Sequence, residues 1–205
     1  MSTTASPYGL VPVKRADGMP YAGAQDAFKI IPAGIAQNMG YGSIVFLNAG
    51  YVELSTDTGS ANNGNNFGGA QDVGAIGVFV GCEYINAQGQ LIFSQYYPSG
   101  TDNATAYVIT DPNVTFQVQA DGPIAQTALG HNAPLTGAQN ATTSVNTTTG
   151  KSNVQLDATT ATGTKAFKVV GFVTKPGSAI GDAFTDVLVK INSPYHQFGT
   201  GIVGE

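Results

Sequence analysis

Apolar residues in this chain recur at every second position over short runs, and no stretch keeps helical spacing for three turns. Ile76 to Ile85 (IGVFVGCEYI) gathers Val, Ile, Phe and Tyr, with glycines at positions where a side chain would crowd a neighbouring backbone. Asn86-Ala87-Gln88-Gly89 supplies turn formers and Leu91 to Tyr97 returns as a second strand. The pattern predicts a hairpin closed by a Tyr96-Tyr97-Pro98-Ser99-Gly100 corner. Val114, Phe116 and Val118 alternate with Thr115, Gln117 and Gln119, as in a half-buried antiparallel strand. Its expected partner is Ala104 to Thr110, across the turn Asp111-Pro112-Asn113. Tyr41 to Leu47 reads as a strand paired with Tyr51 to Leu54, and Lys165 to Val173 and Phe184 to Asn192 read as closing strands.

Between these runs the chain is punctuated by turn formers. Pro7, Pro12 and Pro20, with Gly9, Gly18 and Gly23, forbid a long helix near the start, while Tyr8, Leu10, Val11 and Val13 are spaced for an extended segment. Residues 1–29 therefore read as an extended N-terminal arm, of which 1–20 are expected to be removable without loss of the fold, and 30–205 as a single all-β domain. Phe28 to Ile35, around Pro32, reads as a first or edge strand. Ser55 to Asp72 is a long Gly- and Asn-rich loop, and residues 121–164 lose periodicity apart from a short helix or strand starting at Gln126 to Gly130 and a strand at Val154 to Asp157. Eight to ten short strands separated by Gly, Pro and Asn imply an all-β, antiparallel barrel, jelly roll or sandwich with long polar loops.

Composition narrows the function. Charged residues make up only 10% of the 205 positions, and Gly, Thr, Asn, Ala and Gln fill the difference. Such groups cost little to desolvate, which suits a surface covered by neighbours in an assembly. All eight Lys and Arg lie at the two ends, none falls between Ile30 and Gly150, and seven of the thirteen acids occupy that interval. A negative middle and a net charge of -5 argue against nucleic acid as a partner. No run has the length of a membrane-spanning helix, and the N-terminus lacks the pattern of an export signal. Cys82 is the sole cysteine and reads as a small buried hydrophobe.

Chemistry is sparse. His131 and His196 sit in no catalytic motif and read as structural or surface residues. The sequence-near acids Glu53 and Asp57, or Asp182 and Asp186, are the pairs that could serve glycoside hydrolysis, yet the chain has no Trp to stack a sugar. The dispersed Asp57, Asp72, Asp102 and Asp111 do not form a calcium loop, and Gly59 to Gly69 lacks the Lys of a phosphate cradle. The expectation is no enzyme, no metal and no cofactor.

The phrases SPYGLVPVKRADGMPY, IGVFVGCEYINAQGQLIFSQYYPSGT, AYVITDPNVTFQVQ and LGHNAPL together resemble a family of tailed-phage head decoration, or capsid cement, proteins, over about two-thirds of the chain. The resemblance implies a structural virion protein on the outer capsid surface, made in the host cytoplasm, whose partners are the major capsid protein and copies of itself as a homo-dimer or homo-trimer. It matches Pro7, Gly9, Leu10, Pro12 and Val13 to an arm phrase, with Tyr8 and Val11 between them, so Pro7 to Val13 is the expected capsid or subunit contact. Val78, Phe79, Gly81 and Cys82 match a core phrase that begins at Gly77, and Tyr97, Pro98 and Gly100 match the corner. The alternative is a tail-fibre or adhesin-type module binding host-surface glycans through the Gly, Asn and Thr loops.

Overall fold

The computed structural model describes residues 4–55, 74–136, 145–175 and 178–198. Its strands are short and antiparallel. In chain order they are β1 (Val11–Arg15), β2 (Asp26–Lys29), β3 (Met39–Gly40), β4 (Ile44–Asn48), β5 (Tyr51–Leu54), β6 (Gly77–Ile85), β7 (Leu91–Ser94), β8 (Tyr96–Tyr97) and β9 (Thr105–Ile109). There follow β10 (Val114–Gln119), β11 (Asn132–Ala133), β12 (Leu135–Thr136), β13 (Val145–Asn146), β14 (Lys151–Ser152), β15 (Gln155–Leu156), β16 (Phe167–Phe172) and β17 (Asp186–Ile191). The helical content described is two single 3-10 turns, Gln126–Ala128 and Ser193–Tyr195.

Two main sheets form a sandwich. The first has the order β1-β10-β17-β16-β11, and the second the order β2-β9-β6-β4-β5 with β7 added to the far half of β6. Alternation along the strands sets which side chains go where. Val114, Phe116, Val118, Val187, Val189 and Val169 of the first sheet meet Ile44, Val78 and Ile109 of the second in one buried cluster. The residues next to these, Val45, Phe79 and Val108, point to the opposite face of the second sheet. There they build a separate cluster with Ile30, Met39, Cys82 and Tyr97. The second sheet is thus apolar on both faces at its centre, which is why β6 reads as a continuous hydrophobic run.

The hairpin of β6 and β7 forms in the expected place, pairing Cys82 with Ser94 and Ile85 with Leu91, and β4 pairs β5 from Val45 opposite Leu54 to Asn48 opposite Tyr51. The expected pairing of the strand at 104–110 with that at 114–119 does not form. Strand β9 joins β2 and β6, whereas β10 joins β1 and β17. The turn at Asp111 to Asn113 carries the chain from one sheet to the other. A reversal signal fixes that the chain turns, not which sheet receives it. Strand β10 is also more covered than its alternation predicts. It lies between two neighbours, and Thr115 and Gln119 on its polar face are buried along with Val114, Phe116 and Val118.

The N-terminal segment needs a larger correction. Its described part does not stand apart from the sheets: Val11 to Arg15 is the edge strand of the first, paired with Val114 to Gln117, and Asp26 to Lys29 is the edge strand of the second. An extended apolar segment gains main-chain hydrogen bonds on any open sheet edge, and here the edge belongs to the same chain.

Candidate functional site

The residues expected to contact a capsid are engaged inside the molecule. Leu10 is fully buried in the shared cluster, and its N–H donates to the Gly42 carbonyl at 3.1 Å. Gly9 and Gly42 pass each other so closely that a Cβ on Gly42 would lie 2.6 Å from the Leu10 nitrogen, and one on Gly9 would lie 2.9 Å from the Tyr41 carbonyl oxygen. Both have positive φ, so glycine is required there on two counts. The Tyr8 hydroxyl donates to Asp186 Oδ1 at 2.9 Å and accepts from Gln117 Nε2 at 2.8 Å, while the Ser6 N–H donates to Gln119 Oε1 at 2.8 Å. Burial and the Asp186 carboxylate push the Tyr8 phenol well above its usual range, so it keeps its proton and stays a donor at neutral and moderately alkaline pH. Lys175 completes the group, 3.6 Å from Asp186 Oδ2. Pro7, Val11 and Pro12 are half-buried, and of the expected contact residues only Val13 presents an exposed apolar side chain.

Val78, Phe79, Gly81 and Cys82 lie in the interior. The Cys82 thiol is pushed up to about 12 by burial and rests 3.5 Å from the Tyr96 carbonyl oxygen, which leaves no thiolate for chemistry. At the corner, the buried Tyr97 hydroxyl accepts from the Ile35 N–H at 3.1 Å and donates to the Thr101 carbonyl at 2.9 Å. The Gly100 N–H donates to the Ile35 carbonyl at 2.7 Å, so the corner clasps residues 31–40. Pro98 is half-buried and Gly100 exposed, with φ +71° and open space around it. Gly100 serves the turn, not the core.

The acids singled out by spacing hold loops together. Asp182 Oδ2 accepts from the Ala179 N–H at 2.9 Å, Asp186 is committed to Tyr8 and Lys175, and Glu53 accepts from Asn48 Nδ2 at 3.1 Å. Asp57 and Asp72 lie outside the described residues, as do most of the Gly- and Asn-rich loop and residues 137–144 of the Thr-rich region. Among the described residues no group of three or more His, Cys, Asp or Glu is arranged to hold a metal ion.

His196 carries a signal that the sequence did not disclose. It is fully buried, and the Phe198 N–H donates to its Nδ1 at 3.1 Å, so the neutral ring carries its proton on Nε2. Burial pushes it from 6.5 down to about 4; a hydrogen bond to the Thr110 backbone and the Asp111 charge oppose the shift, and Lys190 adds to it. Because the folded value lies below the unfolded one, the unfolded chain takes up the proton first as pH falls. Full stability is therefore present above pH 6.5 and falls progressively towards pH 4, by roughly 3 kcal/mol for this group. Urea unfolding at pH 7 and at pH 4.5 checks this: His196→Gln is expected to show a visibly smaller loss between the two than the parent chain.

Among the described residues the hairpin of β6 and β7 groups three exposed apolar side chains. Ile85, Leu91 and Phe93 are 65%, 56% and 68% exposed. Ile85 pairs directly with Leu91, and Phe93 with Glu83 two residues along, so all three side chains share one face. At its root lies a shallow hollow of about 310 Å³ lined by Gln25, Val80, Phe93, Gln95 and Tyr107. Comparison with family models, with curated proteins and with solved structures returns no match.

Proposed function

We propose that this chain is a structural protein of a tailed-phage virion, a decoration protein that sits on the outside of the major capsid shell and stabilises it. What carries the reading is where the phage-like phrases fall. Gly9 and Leu10 lock the N-terminal segment, Phe79 and Cys82 fill the core of the second sheet, and Tyr97 clasps the corner to residues 31–40. Each phrase serves stiffness. A stiff scaffold with a surface poor in charge suits static load, because its contacts cost little to dehydrate and its shape is set before binding. Many copies on one shell convert modest single contacts into firm attachment.

The capsid contact in this reading is a preformed surface, since residues 6–12 are committed within the fold. Adding purified protein to expanded capsids that carry no decoration tests it. Saturable co-sedimentation, ordered density at symmetry-related positions outside the shell and a higher capsid melting temperature are expected. Absence of saturable binding overturns the proposal.

A further inference from the structure

We infer that the outer edge of β7 is a pairing site for β7 of a second copy of this chain, giving a two-fold dimer through edge-to-edge antiparallel strands. Among the described residues β7 pairs only with β6 and no other strand takes its outer edge. Natural sheets protect such edges with charge, proline, a bulge or a covering loop. Leu91 to Ser94 has none of the first three. Instead Leu91 and Phe93 stand exposed on one face, beside Ile85.

That face is the core side of the second sheet continued past the cover of the first. Cys82 and Tyr84 pack into the cluster on the opposite face, which places Glu83 and Ile85, with their partners Phe93 and Leu91, on the side of Val78 and Ile109. The hairpin is held in shape for docking. Asn86 Oδ1 accepts from the N–H groups of Gln88 and Gln90 at 3.0 and 2.9 Å, and the Asn86 N–H donates to the Gln90 carbonyl at 2.9 Å.

Two observations favour a copy of this chain as the occupant. The first is electrostatic: the molecule is net negative, yet Leu91 to Ser94 carries no charge, so no charge on β7 itself opposes a second β7. The second is register. With the two-fold axis at Ile92, Leu91 falls opposite the partner's Phe93 and Phe93 opposite the partner's Leu91, which joins both apolar faces into one stripe. Four residues of edge pairing and three apolar side chains fall short of the roughly 800 Å² per partner of a stable interface, so the dimer forms at high protein concentration. The inference does not rest on the capsid reading and holds for the free protein.

Sedimentation velocity over a concentration series is the test. The parent chain is expected to pass from monomer to dimer, and the double variant Leu91→Lys, Phe93→Lys, which sets lysine directly opposite lysine across the axis, is expected to stay monomeric with unchanged circular dichroism and melting temperature. Directly opposed residues in an antiparallel pair have Cα atoms about 4.5–5.5 Å apart, within disulfide reach. Ile92→Cys is therefore expected to give a covalent dimer on mild oxidation, with Cys82 too buried to compete. A parent chain that remains monomeric, a trimer, a dimer that survives the double variant, or a dimer that Ile92→Cys does not cross-link each overturns the inference.

Discussion

Gly77→Ala is expected to abolish the native fold. A Cβ at this position would lie 1.9 Å from the Ile109 carbonyl oxygen and 3.0 Å from Val108 Cγ1, well inside van der Waals contact, and the first obstacle is backbone. Relief requires opening the ladder between β6 and β9, whose strands feed both buried clusters. Parting them exposes Val78 and Ile109 on one face and Phe79 and Val108 on the other. The cost is comparable with the whole stability of a domain, about 5–15 kcal/mol. Gly163→Ala is the matched control: nothing lies within 4 Å of its Cβ, its φ is not positive, and its melting temperature is expected to be unchanged. Circular dichroism melts of the two variants decide the matter. A cooperative transition for Gly77→Ala within a few degrees of the parent would sink this account of β6.

Removing residues 1–15 is the second large effect, and it is a loss of stability. The deletion strips an edge strand from the first sheet, takes Leu10 out of the shared cluster and leaves Gln117 and Gln119 without Tyr8 and Ser6. Leu10→Ala alone is expected to cost about 3 kcal/mol, which for a chain of this size lowers the melting temperature by roughly 6–12 °C. The full deletion is expected to aggregate or to melt far below the parent, as read by thermal denaturation and the soluble fraction on expression. Unchanged melting after the deletion would restore the idea of a dispensable arm. It follows that failure of a truncated chain to bind a capsid says nothing about the arm as a contact, and exposed positions such as Val13 are the ones to substitute.

How far each feature could be read from sequence follows its physical range. The hairpin of β6 and β7 was legible because its strands, turn and corner are contiguous and each has its own chemistry, from β-branched residues to the Asn86 turn. The crowding at Gly77 and Gly81 was legible as well: glycine in an otherwise bulky strand has few other reasons to be there. The placement of β1 was not. Its partner lies far along the chain, and Pro7, Gly9 and Pro12 describe an extended backbone without saying what it lies against. The openness of the face that carries Ile85, Leu91 and Phe93 was not legible either, because period-2 spacing cannot tell a covered face from an open one. The burial of His196 was hidden for a related reason: a histidine beside a Gly-containing tail gives no local sign that the backbone at Ala75 and Thr110 will close over it.

The passage of the chain between sheets after β9 also sets a schedule for its synthesis. Arg15 must wait for Val114, and Lys29 for Thr105, before either edge strand has anything to bond. At ribosomal speeds roughly a hundred residues, and on the order of ten seconds, separate the emergence of β1 from that of its partner. The first sheet is completed only by β16 and β17, near the end of the described chain. Growing chains therefore carry Tyr8, Leu10 and Val11 unsheltered for about half of translation, and the yield of folded protein should respond more to expression temperature and chaperone supply than the compactness of the finished sandwich would suggest.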